Sequence, residues 1–248
     1  MAQNCRSAMK ANSRMDEHLT HLEQSGFAVA RSVVDSQILT YLKSVCAMTD
    51  EPSRVRRRGE SLYGVRHLLS VVPELQQILS ASPFIDLARA VLGKGARPVK
   101  GVYFDKTSEA NWLVPWHQDV TITVKERRDV PGFEMRPVKE GFVHAIPPVE
   151  VSEQILAMRI HLDNAGPEHG ALRVISGSHR HGRLDAAQVK DWTATSREEV
   201  VGVQAGDVML MRPLLLHASS PCRLPDHRRV IHVEFAAYDL PGGLEWAG

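Results

Sequence analysis

Short strand-like runs separated by glycine and proline dominate the sequence from Pro98 to Tyr238, and this pattern constrains the fold most. The runs are rich in Val, Ile and aromatic residues, which favour an extended backbone, while Gly and Pro favour turns. Many short strands with such punctuation are typical of β sandwiches and barrels. We expect a core of this kind, with strands over residues 99–104, 112–124, 154–162, 171–175, 200–203, 208–211 and 229–238.

The first hundred residues carry helical patterns around a single strand-like run at 27–34. Apolar residues recur there at spacings of three and four, which places them on one face of a helix. The pattern predicts helices over 16–24 and 35–45, and two more that follow Pro73 and Pro83. The fold class is therefore mostly β, with flanking helices that form an N-terminal layer.

One domain spanning residues 1–248 is expected, because no repeat or linker-like stretch divides the chain and a barrel of this length can be a single domain. Residues 1–18 are expected to be poorly ordered. Residues 125–153 are charged, contain several prolines and show no clear strand or helix pattern. In a compact domain such a segment is usually a lid or a binding loop, so we interpret it as a lid-like insertion.

The charge balance and cysteine content exclude several classes of protein. Thirty Lys and Arg against 29 Asp and Glu give a formal net charge of +1, which lacks the basic field of nucleic-acid binders. No stretch resembles a signal peptide or could span a bilayer. Three cysteines in no metal-like spacing argue against a disulfide framework. We expect a cytoplasmic protein with a small-molecule substrate, no nucleic-acid partner and no membrane partner, and its oligomeric state stays open.

Two His-x-Asp pairs could each offer an imidazole and a carboxylate to one metal ion. They are His117-Gln118-Asp119 and His161-Leu162-Asp163. On a strand, residues i and i+2 project from the same face about 7 Å apart. A lone pair of this kind is more often a hydrogen-bonded structural pair, and spacing alone does not choose between the two.

A facial triad of two histidines and one carboxylate needs a third ligand from a later strand. His217 follows the apolar run 208–216, where a buried imidazole requires a partner or a metal. A hydrogen-bonded core histidine is the alternative. Arg228 begins the next strand and is suited to bind a carboxylate through two hydrogen bonds. Ser219, two residues after His217, could add a hydroxyl to the same carboxylate.

Three segments together resemble the phytanoyl-CoA dioxygenase family. They are Trp116-His117-Gln118-Asp119, the run GALRVISGSH at 170–179, and His217-Ala218-Ser219 with Arg228. The resemblance covers roughly residues 19–238. It implies a double-stranded β-helix (jelly-roll, cupin-like) core and an Fe(II)- and 2-oxoglutarate-dependent dioxygenase that uses O2 and releases succinate and CO2. Because Asp119 is present, it favours hydroxylation of a small-molecule or acyl substrate over halogenation.

The resemblance also assigns residues. It implies that His117, Asp119 and His217 bind the iron, and that Arg228 and Ser219 hold the distal carboxylate of 2-oxoglutarate. It leaves the second His-x-Asp pair without a metal, with Asp163 as a structural acid.

Three further basic residues are candidates for the cosubstrate site. Arg159 lies where relatives often have an aromatic residue beside the cosubstrate, so it could contact 2-oxoglutarate or an acidic substrate, or point outward. Lys100 shares a strand face with Val102 and Phe104 and could line the pocket or be a strand-edge charge. Arg66 lies near a cosubstrate-binding basic residue of the relatives.

Two rival functions remain at this point. The same three ligands suit zinc, which would make the chain a hydrolase, although Arg228 and Ser219 would then have no obvious role. A non-catalytic β barrel that binds a metal or a small molecule is the second rival, since fold does not fix function. Metal analysis, 2-oxoglutarate binding and succinate release would separate the three.

Overall fold

The computed structural model describes residues 2–47, 55–58, 61–139, 141–224 and 227–248. Its helices are α1 (Ala2–Ser25), α2 (Ser36–Ala47), α3 (Leu68–Val71), α4 (Pro73–Leu79), α5 (Phe84–Leu92), α6 (Val149–Glu153) and α7 (Ala186–Thr195). Its strands are β1 (Phe27–Ala30), β2 (Val55–Arg58), β3 (Ser61–Val65), β4 (Arg97–Lys106), β5 (Val114–His117), β6 (Ile122–Val124), β7 (Glu134–Met135), β8 (Val143–Ile146), β9 (Leu156–His161), β10 (Leu172–Val174), β11 (Glu199–Val201), β12 (Val208–Met211), β13 (His217–Ser219) and β14 (Arg228–Ala236).

The largest sheet has seven strands in the order β1-β12-β9-β14-β4-β3-β2, and its neighbouring strands pair antiparallel. Side chains of β14 alternate between its two faces. Ile231, Val233 and Phe235 join the core beneath the helices. Arg228 and Glu234, on the opposite face, line a cavity. The sheet therefore separates a helical layer from the interior of the barrel.

The helical layer is held to this sheet by apolar faces of its helices. Phe84, Leu87 and Ala88 of α5 recur at helical spacing and are buried. Leu42 of α2 and Leu75 of α4 have no exposed surface and belong to the same core. The N-terminal helical layer expected from the sequence is confirmed.

A second sheet, in the order β11-β10-β13-β5, faces the large sheet. Leu172 and Val174 of β10 pack with Met209 and Met211 of β12 in a core between the two sheets. With all of its strand pairs antiparallel, it completes the mostly β, jelly-roll architecture. The expected fold class is confirmed.

A small third sheet, β6-β8-β7, includes part of the lid-like segment 125–153. Val143 and Ala145 of β8 pack with Leu244 and Trp246 near the end of the chain. The segment thus holds two strands and α6 where the sequence shows no clear pattern. No described residue of the segment lines the cavity in front of β14, and its role as a lid stays a prediction.

Other elements differ from the sequence pattern in their bounds. The first helix begins at Ala2 instead of residue 16, and the run 112–124 is divided into β5 and β6. The poor order expected for residues 1–18 stays a prediction, because a helical backbone alone does not show how firmly its first turns are held. No helix in the described ranges is both long and apolar enough to cross a membrane.

Candidate metal and carboxylate site

The first His-x-Asp pair and His217 meet where β5 and β13 lie side by side. His117 and His217 are direct partners in the antiparallel register, so their rings lie with centroids 4.2 Å apart. Asp119 follows β5, and its backbone N–H donates to Pro213 O at 2.9 Å. The sheet register thus brings together two imidazoles and a carboxylate from positions a hundred residues apart.

The ring nitrogens of both histidines are arranged for metal binding. His117 Nδ1 lies 2.9 Å from Pro115 O and His217 Nδ1 lies 2.8 Å from Leu215 O. A carbonyl oxygen only accepts, so each Nδ1 carries the hydrogen and each Nε2 keeps a lone pair. His117 Nε2 is 3.8 Å from Asp119 Oδ1, and His217 Nε2 is 3.7 Å from Asp119 Oδ2. Atoms about 2.1 Å from one ion can lie this far apart.

The electrostatics keep the ligands in their binding forms. Burial lowers the pKa of His217 to about 4, so its imidazole is neutral at pH 7. Burial alone would raise the pKa of Asp119, but the surrounding His217, His232, His117 and Lys100 hold it below the ordinary value. Asp119 Oδ2 is buried without a hydrogen-bond partner. A neutral imidazole and an unpartnered carboxylate oxygen fit a divalent cation.

A cavity of about 600 Å³, counting its open mouth, extends from this triad along the inner face of the large sheet. Apolar side chains form part of its wall, and the polar groups converge on one side. Its lining residues are Lys100, Val102, Phe104, Trp112, Val114, His117, Asp119, Arg159, Leu172, His217, Ser219, Arg228, His232 and Glu234. The structure therefore brings His117, Asp119, His217, Arg228, Ser219, Arg159 and Lys100 to one cavity.

One end of the cavity is built for an anion. Arg228 is buried, and its Nη1 donates to Gly170 O at 2.8 Å. Its Nε is buried without a partner. Burial lowers the pKa of Arg228 to about 10, so the guanidinium stays charged at pH 7. No carboxylate of the described residues forms an ion pair with Arg228, although Asp105 acts on it from further away. A buried cation in such a place favours an anionic ligand.

Lys106 stands behind Ser219 at the same end and was missed by the sequence reasoning. Its Nζ donates to Ser219 Oγ and to Ser220 O, both at 2.9 Å, and lies 5.2 Å from the centre of the Trp112 ring. Because Ser219 Oγ accepts from the ammonium, its own hydrogen can be donated into the cavity. Burial lowers the pKa of Lys106 to about 7. Lys106 is the register partner of Arg228, a signal that strand pairing could have supplied.

Gly170 makes this end possible because no larger residue fits there. Its φ is +64°, and a Cβ at this position would lie 2.4 Å from Ser220 O. The same turn presents Gly170 O to Arg228. Gly170 therefore positions both Arg228 and the backbone beside Lys106.

Arg159 and His232 lie beside the triad on β9 and β14. They are register partners, and Arg159 Nη1 lies 3.2 Å from His232 Nδ1. An arginine only donates, so Nδ1 accepts and the hydrogen of His232 is on Nε2, which lies 3.7 Å from Asp119 Oδ2. Arg159 thus faces the interior, and the alternative of an outward arginine is wrong.

The other end of the cavity holds an ion pair. Lys100 Nζ donates to Glu234 Oε1 at 2.6 Å and to Thr121 O at 2.8 Å. Burial raises the pKa of Glu234, although Lys100 opposes this. Lys100 and Lys106 lie six residues apart on β4, and Lys106 pairs with Arg228. Lys100 therefore lines the cavity at the end opposite Arg228. His232 and Glu234 were also missed, although alternation from Arg228 along β14 would have placed them on its face.

Two sequence predictions fall outside the cavity. Arg66 follows β3 and is not among the lining residues. Asp163 is a structural acid, as predicted, because Arg229 donates to both of its oxygens at 2.7 and 2.8 Å and Lys43 lies 2.9 Å away. His161 is buried, but neither of its ring nitrogens has a hydrogen-bond partner, and it does not join the metal triad.

Comparison with known proteins agrees with this geometry. The family model for phytanoyl-CoA dioxygenase (PhyH) matches residues 22–230. No curated protein matches the chain in sequence.

Several solved structures are similar to the chain. AviO1 from Streptomyces viridochromogenes Tue57 is 25% identical with a TM-score of 0.65, over 92% of this chain and 96% of that one. SnoK, a non-heme alpha ketoglutarate dependent carbocyclase from nogalamycin biosynthesis, is 17% identical with a TM-score of 0.68, over 90% of this chain and 84% of its own. EctD from S. alaskensis, solved with 2-oxoglutarate and 5-hydroxyectoine, is 17% identical with a TM-score of 0.68, over 89% and 75%.

Proposed function

This chain belongs to the phytanoyl-CoA dioxygenase family, and we propose that it is an Fe(II)- and 2-oxoglutarate-dependent dioxygenase that hydroxylates a small molecule. The observation that carries the proposal is that one cavity holds both a triad suited to a metal and a buried arginine that has no ion-pair partner among the described residues. His117, Asp119 and His217 would hold Fe(II) through two imidazole nitrogens and one carboxylate. Arg228 would bind the distal carboxylate of 2-oxoglutarate.

The cation end of the cavity fits a dicarboxylate. Arg228 has donors left over after its bond to Gly170 O. Ser219 has a hydroxyl hydrogen to donate, because its oxygen already accepts from Lys106. The carboxylate would therefore receive hydrogen bonds from Arg228 and Ser219, with Lys106 orienting the serine. This arrangement also supplies the counter-charge that the buried cations lack.

Bound Fe(II), 2-oxoglutarate and O2 together supply the oxidising chemistry, with succinate and CO2 as the coproducts. The chain itself contributes position and shelter. The carbonyls of Pro115 and Leu215 fix the imidazole rings through Nδ1, and His232 Nε2 lies 3.7 Å from Asp119 Oδ2. Val102, Phe104 and Leu172 give the cavity apolar walls, which exclude water from the reacting groups.

Calorimetry with Mn(II) tests the cosubstrate site. We expect Arg228→Met to weaken binding of 2-oxoglutarate about 10- to 100-fold, because a hydrogen bond to a charged group contributes about 1.5 to 3 kcal/mol. Binding of 2-oxobutyrate, which lacks the distal carboxylate, should be weak and equal in both proteins. Arg197→Met, an exposed arginine, is the matched control. Equal 2-oxoglutarate affinity in wild type and Arg228→Met would contradict the proposal.

The reaction type needs its own experiment, since SnoK is named a carbocyclase. Candidate substrates are screened for succinate release from the Fe(II) enzyme, and the product is analysed after reaction under ¹⁸O2. One labelled oxygen in the product supports hydroxylation. An unlabelled product with a changed carbon skeleton or configuration would contradict hydroxylation and would assign a different oxidation to this site.

A zinc hydrolase is the less favoured alternative. It explains the triad but gives Arg228, Ser219 and Lys106 no task. Retention of zinc through purification with no 2-oxoglutarate binding to the Mn(II) form would favour it. A cytoplasmic location stays part of the proposal, supported by Cys46 and Cys222, which are buried and free.

A further inference from the structure

Arg159 is a buried cation that lies in the cavity beside the metal triad. The residue is 6% exposed, its Nε is buried without a hydrogen-bond partner, and its Nη1 donates to His232 Nδ1. No carboxylate of the described residues forms an ion pair with it, although Asp119 lies close enough to act on it electrostatically. A guanidinium whose Nε edge is unpaired can bind a carboxylate through two parallel hydrogen bonds.

When the cavity holds the metal ion and 2-oxoglutarate, the charge of Arg159 still lacks a counter-charge. Lys100 is neutralised by Glu234. A divalent metal would be neutralised by Asp119 and one carboxylate of 2-oxoglutarate. The other carboxylate would face both Arg228 and Lys106, and burial lowers the pKa of Lys106 to about 7, so that this lysine can lose its charge. Since this balance assumes Fe(II) and 2-oxoglutarate, it rests on the proposed function. Arg159 is then a buried cation that is matched neither by an acidic side chain of the described residues nor by the cosubstrate.

The backbone of Arg159 lies away from that of Arg228 along the sheet, although the two guanidinium groups are close enough to act on each other electrostatically. It pairs in register with His232, which is four residues, or about 13 Å, along β14 from Arg228. The cavity continues past His232 in the direction away from Arg228, as far as Lys100 and Glu234. Arg159 therefore stands between the cosubstrate half and the half that is left for the substrate.

His232 fixes the orientation of this arginine. It accepts from Arg159 Nη1 at 3.2 Å, which requires a neutral ring with its hydrogen on Nε2. Because one nitrogen of the guanidinium is held by His232, the Nε edge is the part left for a ligand.

We propose that Arg159 anchors a carboxylate of the substrate, so the chain oxidises an organic acid that enters the cavity with its acid group beside the metal site. Glu234 and Lys100 lie further along the same wall. The rest of the substrate would therefore face an ion pair that carries no net charge. A neutral or cationic substrate would leave the charge of Arg159 buried and unpaired.

The test uses the protein with Mn(II) and 2-oxoglutarate, in which no turnover occurs. Acids and their size-matched amides are added as probes: acetate with acetamide, and 3-phenylpropionate with 3-phenylpropionamide. Broadening of the probe's proton signals by Mn(II) measures occupancy near the metal. We expect each acid to be broadened at least tenfold more than its amide in the wild type. The difference should be lost in Arg159→Gln, retained in part in Arg159→Lys, and unchanged in Arg197→Gln.

Calorimetry of 2-oxoglutarate on the same variants is the second measurement. Arg159→Gln should bind it within about twofold of the wild type, which also shows that the variant is folded. A loss comparable to that of Arg228→Met would assign Arg159 to the cosubstrate and overturn the inference. Equal broadening of acid and amide in the wild type, or an acid preference that survives in Arg159→Gln, would overturn it too. Failure of the wild type to bind 2-oxoglutarate would instead remove the proposed function on which the inference rests.

Discussion

Replacing Lys106 with methionine should stabilise the unliganded protein while weakening its cosubstrate site. The ammonium has no exposed surface, and burial lowers its pKa from 10.5 to about 7. At 1.36 kcal/mol per pH unit, this difference corresponds to a cost of at most about 5 kcal/mol for keeping the charge. Methionine loses the hydrogen bonds to Ser219 and Ser220 and the contact with Trp112, together about 1 to 3 kcal/mol. The expected net gain near pH 7 is about 2 kcal/mol.

The gain has a characteristic dependence on pH. Because the folded-state pKa of Lys106 lies below the unfolded value, the unfolded chain binds more protons between pH 7 and 10.5, and wild-type stability rises with pH across that window. The advantage of Lys106→Met should therefore be largest at and below pH 7. It should shrink by up to about 1.4 kcal/mol per pH unit above it.

Thermal unfolding of the metal-free proteins between pH 6 and 9 measures this. At pH 7 a gain of about 2 kcal/mol raises the Tm by about 4 to 8 °C for a chain of this size. The same variant should bind 2-oxoglutarate about tenfold more weakly, because Ser219 loses the group that orients its hydroxyl. A lower Tm for Lys106→Met at every pH would refute the reasoning, since it would show that the ammonium is stabilised where it lies.

Three other outcomes follow from the same contacts. The affinity of the wild-type Mn(II) form for 2-oxoglutarate should fall by up to about tenfold per pH unit as the pH rises from 7.5 to 9, because the bound carboxylate favours protonated Lys106. Calorimetry of Lys106→Met should not show this fall, because the variant lacks the titrating amine. Gly170→Ala should lower stability by about 2 kcal/mol or more, because its Cβ would meet Ser220 O and φ is +64°, and it should weaken 2-oxoglutarate binding by displacing the acceptor of Arg228. Asp163→Asn should lower the Tm by about 4 to 10 °C, since it leaves Arg229 without its carboxylate, while the Kd for 2-oxoglutarate stays unchanged.

Residues carried by short motifs could be placed from the sequence. His117 and Asp119 share one motif, and His217 with Ser219 another, so the resemblance placed all four on one site, and the structure gathers them in one cavity. Lys106 belongs to no motif. Its place beside Ser219 depends on β4 pairing with β14 and on the fold bringing β13 close, and neither follows from local patterns.

The strands inside the lid-like segment 125–153 could not be predicted for a related reason. Its charges and prolines indicated an irregular loop, but Val143 and Ala145 alternate on β8 and are buried against Leu244 and Trp246. Those partners come from the end of the chain, about a hundred residues later. A strand only four residues long gives a weak periodic signal, and its burial is decided by a distant segment.

Alternation along β14 separates stability from function within one strand. Ile231, Val233 and Phe235 bury apolar surface under the helices and stabilise the fold whether or not a ligand is bound. Arg228, which precedes them, and His232, which lies between Ile231 and Val233, face the cavity. The charge of Arg228 is costly there until an anion binds. Binding of 2-oxoglutarate should then raise the free energy of unfolding by more than the same ligand contributes to Arg228→Met, because only the wild type has a buried charge to relieve. Without a ligand, the charged inner face of the sheet therefore lowers the free energy of unfolding, whereas the apolar outer face raises it. Binding of 2-oxoglutarate removes the cost of the buried charge.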